Sequence, residues 1–365
     1  MGIPTTGTEI ALTGLGGTEV VTTRRSAPPA PGPHGVLVRV EATGVSFAEV
    51  QMLRGRYPAQ PKFPFVPGYD LVGEIVAVGS AVTGWRPGQR VAAMPRTGAW
   101  AEYAEVRDAE LVSVPDGVDA GDAAAMILNG VTAWQLLHRA AKIRSGQTVL
   151  VHGVGGGVGV LLAKLGVAAG VRVIGTASAS RHEALRDIGI ELIDHRTEDV
   201  DARVAELAPG GVDAIFDPLG PESLDRSWRL LAPGGSLHAY GSSATLHDAG
   251  PWWRPYLGLT RRLARWELAR LLGRTGGRRA RMYYIRPNAQ FRTDLTELFR
   301  MVASGQLRPL VAERLPLESA ARALDLHISG SRTGRILLIP GLPGSRRGVT
   351  AAGCARHAKP VEARL

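Results

Sequence analysis

Val149-Leu150-Val151-His152-Gly153-Val154-Gly155-Gly156-Gly157-Val158-Gly159 decides how this chain is read. A short apolar run of the strand type flows into five glycines. A helical pattern follows at Leu161, Leu162, Leu165, Ala168 and Ala169, and then a second apolar run, Val171-Arg172-Val173-Ile174-Gly175. The order strand, glycine-rich turn, helix, strand suits a dinucleotide. Glycine lets the pyrophosphate approach the backbone, and the helix N-terminus offers free N–H groups and a partial positive charge. A glycine cluster alone is an ordinary loop as often as not, but one set between a strand and a helix is specific. The expected cofactor contacts here are Gly153, Gly155, Gly156, Gly157, Val158 and Gly159.

Downstream of this unit, strand candidates at Glu191–Asp194, Val212–Asp217 and Ser236–Gly241 alternate with helical segments. That alternation predicts a parallel sheet with helices on both faces. Upstream, residues 1–125 read as β-rich. Val36 to Ala42 alternates with period two, as a half-buried strand does, and Leu71–Gly79, Arg90–Met94, Trp100–Val106 and Leu111–Pro115 continue the pattern. From Ala120 the period turns helical, and Asn129-Gly130 reads as a break between two helices. Phe291–Ser304 reads as a helix. Leu310–Leu315 and Arg335–Ile339 read as strands flanking a short helix, Leu317–Ile328.

The chain has 365 residues, 45% of them hydrophobic, and one cysteine, Cys354. That length suggests two domains, and the composition supports a large core. One cysteine excludes a disulfide framework and cysteine-based zinc sites. No apolar run reaches the ~18 residues of a membrane span, and no secretory leader pattern is seen, so a cytoplasmic protein is expected. The net charge is +10, almost all of it arginine, since lysine occurs only at 62, 142, 164 and 359. The excess lies between Arg254 and Arg286 and after Ser345. Solvated arginines, not a nucleic-acid surface, are the expectation.

The whole resembles the medium-chain dehydrogenase/reductase superfamily in its zinc-less quinone oxidoreductase branch, over residues 8 to 340. The motifs carrying the resemblance are Pro67-Gly68-Tyr69-Asp70 through Gly79, Asn129-Gly130-Val131-Thr132-Ala133, the glycine loop, Phe216-Asp217-Pro218-Leu219-Gly220 and Leu231-Ala232-Pro233-Gly234-Gly235. The Pro251-Trp252-Trp253 insert is similar to the vesicle amine transport protein 1-like members of that branch. The resemblance implies an α/β fold: a GroES-like β-barrel domain at 1–126, completed by 291–340, plus a Rossmann doubly wound parallel sheet at 127–290. Residues 341–365 are expected to be a disordered tail. It also implies hydride transfer to a quinone or enone, and a homodimer; an enoyl reductase tailoring a polyketide-like intermediate, and a non-catalytic NADPH-binding or membrane-associated protein, are the alternative readings. Zinc-binding relatives carry a His-Glu pair where Tyr69 and Asp70 stand here, so no metal is expected.

A site specific for NAD places an acid about 20 residues past the loop, on the ribose 2′-hydroxyl. Here that place reads Gly175-Thr176-Ala177-Ser178-Ala179-Ser180-Arg181, with no acid. Ser178 and Arg181 suit a 2′-phosphate, and the branch has a Ser/Lys-type pair at the matching positions, so NADPH is expected. His195 stands where relatives often have a tyrosine against that phosphate. Thr132 and Asn129 are candidates at the nicotinamide end, although Asn129 reads equally as a helix terminator. Gly241, Ser242 and Ser243 end a strand at the sheet's carboxyl edge, and Arg332 is a candidate on the return segment.

Ser46-Phe47-Ala48-Glu49 and Arg54-Gly55-Arg56-Tyr57-Pro58 resemble the branch's substrate-cleft motif. Tyr57 is the expected polar wall of the active site, with Ser46 and Gln51 beside it. Ser46 replaces the usual asparagine and Glu49 the usual aspartate. The insert at 245–282 carries a helical apolar face, Leu259, Leu263, Trp266, Leu268, Ala269 and Leu272, opposite its arginines. It reads as a lid or dimer element, with contact to a membrane surface as the third reading.

Overall fold

The computed structural model describes residues 4–246 and 250–343. Cys354 and all but the first three residues of the expected tail lie outside them. The strands are β1 (Gly7–Leu12), β2 (Val21–Ser26), β3 (Gly35–Val45), β4 (Leu71–Val78), β5 (Arg90–Ala93), β6 (Tyr103–Arg107), β7 (Val112–Ser113), β8 (Thr148–Val151), β9 (Arg172–Ala177), β10 (Glu191–Asp194), β11 (Val212–Asp217), β12 (Leu231–Ala239), β13 (Arg279–Met282), β14 (Val311–Pro316) and β15 (Arg335–Ile339). β8 to β13 form one parallel sheet in the order β10-β9-β8-β11-β12-β13. The chain reverses direction across the sheet between β8 and β11, and the glycine loop leaves β8 at that point. This is the doubly wound dinucleotide-binding order, with its crevice at the switch point.

The second sheet runs β14-β15-β3-β4-β5-β7, with β6 also on β3. The chain thus leaves this sheet after β7, builds the parallel sheet, and comes back to pair β15 against β3. β3 is more buried than its alternation suggests. Arg39 is its only exposed residue, because β4, β6 and β15 all pair with it. Among the described residues no helix is long and apolar enough to cross a membrane.

Two sequence readings are corrected here. Asn129-Gly130 does not separate two helices. The backbone stays helical from Ala120 to Ala141, with widened π-type turns at Met126–Gly130 and Gln135–Ala141. Gly130 is right-handed helical, at φ −64° and ψ −50°. A π turn inserts one residue without breaking the helix, and this one turns the Asn129 side chain inward. The insert's apolar face is also only half buried. Leu259 and Trp266 are buried, while Leu268 and Leu272 are 60% and 57% exposed. Trp266 stacks on Trp228 of the helix Pro221–Leu230, with ring centroids 4.7 Å apart and 8° between planes. The helix Arg254–Leu271 therefore braces the parallel sheet through Trp266, while its first turn reaches the cleft through Tyr256. The insert ends in β13, which adds a sixth strand that composition concealed behind two arginines.

One buried ion pair fastens the return strand to the first sheet, and its arginine also reaches the helical junction through Asn129. Arg335, the first residue of β15, is 3% exposed, and Asp70, just before β4, is fully buried. Arg335 Nη2 donates to Asp70 Oδ2 at 2.7 Å and Nη1 donates to Asn129 Oδ1 at 3.1 Å. Asp70 Oδ1 also accepts from the Gly44 amide. A Cβ on Gly44 would fall 1.9 Å from the guanidinium, so glycine is required where the arginine passes. Removing one partner of such a pair strands the other charge. Arg335→Met should lower unfolding stability by about 3–5 kcal/mol, and the D70N/R335M double variant should lose less than the two single losses combined. Additive losses in denaturant titrations would show that the pair is not coupled.

Candidate active site

The glycine loop is held by a relay of hydrogen bonds. Asp217, at the end of β11, is fully buried and accepts from Ser223 Oγ at 2.7 Å and Ser227 Oγ at 2.8 Å. His152 Nε2 lies 3.1 Å from Ser227 Oγ, and Nδ1 lies 3.3 Å from Thr176 Oγ1. The Gly153 amide donates to Thr176 Oγ1 at 3.1 Å. These roles assign one tautomer. Ser227 has given its proton to Asp217, so His152 donates from Nε2 and accepts at Nδ1 from Thr176. Burial, against the pull of Asp217, lowers the His152 pKa and keeps the ring neutral, as the relay needs.

Above this relay, Gly153 takes φ +64°, a conformation that costs other residues steric strain. A Cβ at Gly159 would lie 2.5 Å from the Gly153 carbonyl oxygen, and one at Gly157 would lie 2.1 Å from Asn129 Nδ2. No side chain caps the helix Gly157–Ala168, which leaves its first-turn amides for an anion.

A cleft of about 560 Å³ opens between the loop and the first sheet. It brings together Ser46, Gln51, Tyr57, Asn129 and Thr132 with Gly153, Gly156, Gly157, Val158 and Gly159, and with Gly241, Ser242 and Ser243 at the carboxyl edge of β12. Ser242 Oγ is buried there with no protein partner. A side-chain-free glycine turn, uncapped helix amides and an orphaned hydroxyl at the same crevice fit a nicotinamide dinucleotide. A second cavity of about 750 Å³ opens where β8 and β11 begin, near Gln147 and Asp213. In sheets of this type ligands collect at the carboxyl ends, so the cleft is the candidate site.

The other sequence candidates stand apart from the cleft lining. Ser178 follows β9, is buried, and has its Oγ 3.1 Å from Ser180 Oγ. Arg181 lies half-buried across the loop, its Cδ 2.7 Å from where a Gly155 Cβ would be, and donates to the Gly330 carbonyl. Burial, and then the charge of Arg196, lower its pKa, so a second guanidinium stands close by. His195 is exposed. Arg332 donates to Glu313 at 2.9 Å on the surface.

Ser46 and Glu49 form a single device. Ser46 Oγ and the Ser46 amide both donate to Glu49 Oε2, and Ser46 Oγ accepts from the Ala48 amide. This is a capping box on the helix Phe47–Leu53, so the two departures from the branch's pattern are one joint exchange. Ser-x-x-Glu ahead of an apolar run was the available signal. Gln51 Nε2 is engaged as well, with Thr245 Oγ1 at 3.2 Å and Tyr256 Oη at 3.1 Å. The start of the insert thereby forms a cleft wall against the first sheet. Tyr57 Oη lies 3.0 Å from Tyr69 Oη and 3.4 Å from Tyr284 Oη. Sequence reasoning passed over Arg335, Tyr256 and Tyr284. Among the described residues, no three His, Cys, Asp or Glu side chains come close enough to hold a metal ion.

Comparison with known proteins agrees with this geometry. Residues 32–116 match the alcohol dehydrogenase GroES-like domain model, and residues 189–338 match the zinc-binding dehydrogenase model. A quinone oxidoreductase of Pseudomonas aeruginosa is 34% identical over 343 residues, covering 91% of this chain and 99% of that one. The chain belongs to the zinc-less quinone oxidoreductase branch of the medium-chain dehydrogenase/reductase superfamily. The synaptic vesicle membrane protein VAT-1 homolog of Rattus norvegicus is 32% identical over 345 residues, covering 91% of this chain and 84% of the other. The structure of Escherichia coli quinone oxidoreductase complexed with NADPH superposes with a TM-score of 0.80 at 26% identity, over 91% of this chain and 100% of that one. Members of this family are oxidoreductases using a nicotinamide cofactor, and this chain is one.

Glu49 makes the site sensitive to pH. Its carboxyl is fully buried, and Oε1 has no partner. Burial pushes its pKa from 4.5 up to about 7, against the Ser46 hydrogen bond and the Arg335 charge. A raised carboxyl favours the native state while protonated. This contribution is complete below pH 4.5 and is lost as pH rises through 7. Glu49→Gln should therefore gain on the wild type between pH 5 and pH 8, on the order of 3 kcal/mol in unfolding free energy. An equal gap at both pH values would exclude a buried titrating carboxyl.

Proposed function

We propose that this protein reduces a quinone or an α,β-unsaturated carbonyl with NADPH. The observation that carries the cofactor choice is the end of β9, where Ser178 and Arg181 stand in place of an acid. An acid there would accept from a ribose 2′-hydroxyl and repel a 2′-phosphate. A serine with a guanidinium beside it donates to a phosphate instead. The NADPH complex of the Escherichia coli relative points the same way.

When bound, the nicotinamide supplies a hydride. This chain's residues do the rest. The amides at the start of the helix Gly157–Ala168 hold the pyrophosphate, and Ser242 and Thr132 bind the nicotinamide end. The apolar lining at Phe47, Pro58, Ala59 and Ile285 excludes water and takes an uncharged substrate. Hydrogen-bond donors in the cleft meet the charge that develops on the substrate oxygen.

The test is loss of NADPH absorbance with a panel of quinones and enones. Tight NADPH binding without turnover on any of them would sink the reading as an enzyme. Arg181→Ala should raise the KM for NADPH by about 10- to 100-fold relative to that for NADH, because a charge-assisted hydrogen bond contributes about 1.5–3 kcal/mol. Equal changes for both cofactors would exclude the 2′-phosphate role.

A second reading rests on Trp252 and Trp253, which are 44% and 49% exposed beside the arginines of the insert. Such a surface suits the interface of an anionic membrane. Deleting the insert would remove β13 and the Trp266 anchor, so the W252S/W253S variant is the sounder probe. It should lose binding to phosphatidylserine vesicles and keep NADPH oxidation. Unchanged wild-type sedimentation with vesicles would end this reading.

A further inference from the structure

Three phenols meet at one end of the cleft, and they come from both halves of the chain. Tyr57 follows the helix Phe47–Leu53, Tyr69 precedes β4, and Tyr284 follows β13, the last strand of the parallel sheet. Their hydroxyls form a triangle with sides of 3.0, 3.4 and 3.5 Å. Tyr57 and Tyr69 are 8% and 3% exposed, but Tyr284 is 48% exposed and lines the cleft. The Arg96 guanidinium lies 5.8 Å from the centre of the Tyr284 ring.

Each phenol has one proton to donate and lone pairs to accept with. If Tyr69 donates to Tyr57 across the shortest side and Tyr57 donates to Tyr284, the buried pair is satisfied and the Tyr284 proton is left pointing outward. Once Tyr284 has lost its proton, both buried phenols can turn to donate to it, and with a nearby cation they stabilise its phenolate. A closed ring, in which each phenol donates to the next, would free no proton, and an order that frees the proton of Tyr57 or Tyr69 would present it from a hydroxyl with less access to the cleft.

We propose that Tyr284, not Tyr57, is the catalytic proton donor to the carbonyl oxygen of the substrate, with Tyr57 and Tyr69 as the residues that position it. This rests on the reading of the protein as an NADPH-dependent enone or quinone reductase. As hydride from NADPH forms the new C–H bond at the β-carbon, the C=C electron pair moves onto the carbonyl oxygen. That oxygen takes the proton of Tyr284, so one O–H bond forms as another breaks. The phenolate then recovers a proton from water at the cleft mouth, and the enol released tautomerises to the saturated carbonyl. The product set balances as NADP⁺ and the reduced substrate, with one solvent proton consumed.

The groups facing Tyr284 agree with this role. Burial raises its pKa, but the hydrogen bonds from Tyr57 and Tyr69 and the charges of Arg96 and Arg286 outweigh it, and the net direction is down. Burial instead raises Tyr57, to about 12, and Tyr69.

The experiment compares Y284F, Y57F and Y69F for NADPH affinity by fluorescence, for kcat on an enone such as methyl vinyl ketone or on a quinone such as 1,4-benzoquinone, and for tyrosinate absorbance near 295 nm during alkaline titration. Y284F should lower kcat by about 100-fold or more, the range of lost general-acid catalysis, with NADPH affinity unchanged. It should also remove the first tyrosinate transition and the fall of kcat at alkaline pH. Y57F and Y69F should lose less and should move that transition upward. Loss of kcat in Y57F with Y284F active would overturn the proposal, as would a first tyrosinate transition that survives in Y284F. The titration reads the tyrosines even if the wild type turns over no substrate, so failure of the parent reading is distinguishable from failure of this one.

Discussion

The guanidinium of Arg335 is the constraint on which the two-sheet arrangement depends. A charge at 3% exposure persists only where its partners are in place, and its partners here come from distant parts of the chain. Asp70 precedes β4, Asn129 lies in the π turn, and Gly44 leaves room beneath the side chain. β15 can therefore join β3 in only one way. The same contact fixes Asn129, whose amide nitrogen sits against Gly157 at the start of the helix Gly157–Ala168. The ion pair thus seats the return strand on the first sheet, and the Arg335–Asn129 hydrogen bond carries that contact to the end of the glycine loop.

Beneath the loop, the relay from Asp217 through Ser227, His152 and Thr176 to the Gly153 amide does related work with neutral groups. It satisfies a buried carboxylate and orients the turn, and the imidazole within it stays uncharged. That leaves the amides of the helix start as the free donors facing the crevice. The site is preorganised from below by side chains that never reach the ligand.

The insert divides into three roles that its composition hides. Its first residues wall the cleft through Tyr256 and Gln51. Its helix is anchored by Trp266 on Trp228. Its end becomes β13, an edge strand with one neighbour among the described residues, and delivers Tyr284 to the cleft. A basic segment that reads as a surface helix thus supplies part of the site, because a parallel strand places the residues after it at the carboxyl edge.

What the sequence alone determined was local and periodic. Strand and helix periods, five glycines between them, and the missing acid after β9 all depend on neighbours within about 20 residues, and they were enough for the fold class and the dinucleotide loop. The Ser46/Glu49 capping box was equally local and could have been read. Tertiary structure decided what depends on counting hydrogen-bond partners across the chain. Asn129 proved to be a partner of Arg335, 206 residues away, and not a helix end. The most exposed of the three phenols at the cleft is Tyr284, which meets Tyr57 across 227 residues. Periodicity records which face of an element is apolar. Which polar group is left free to act is decided only when all of its partners have been brought together by folding.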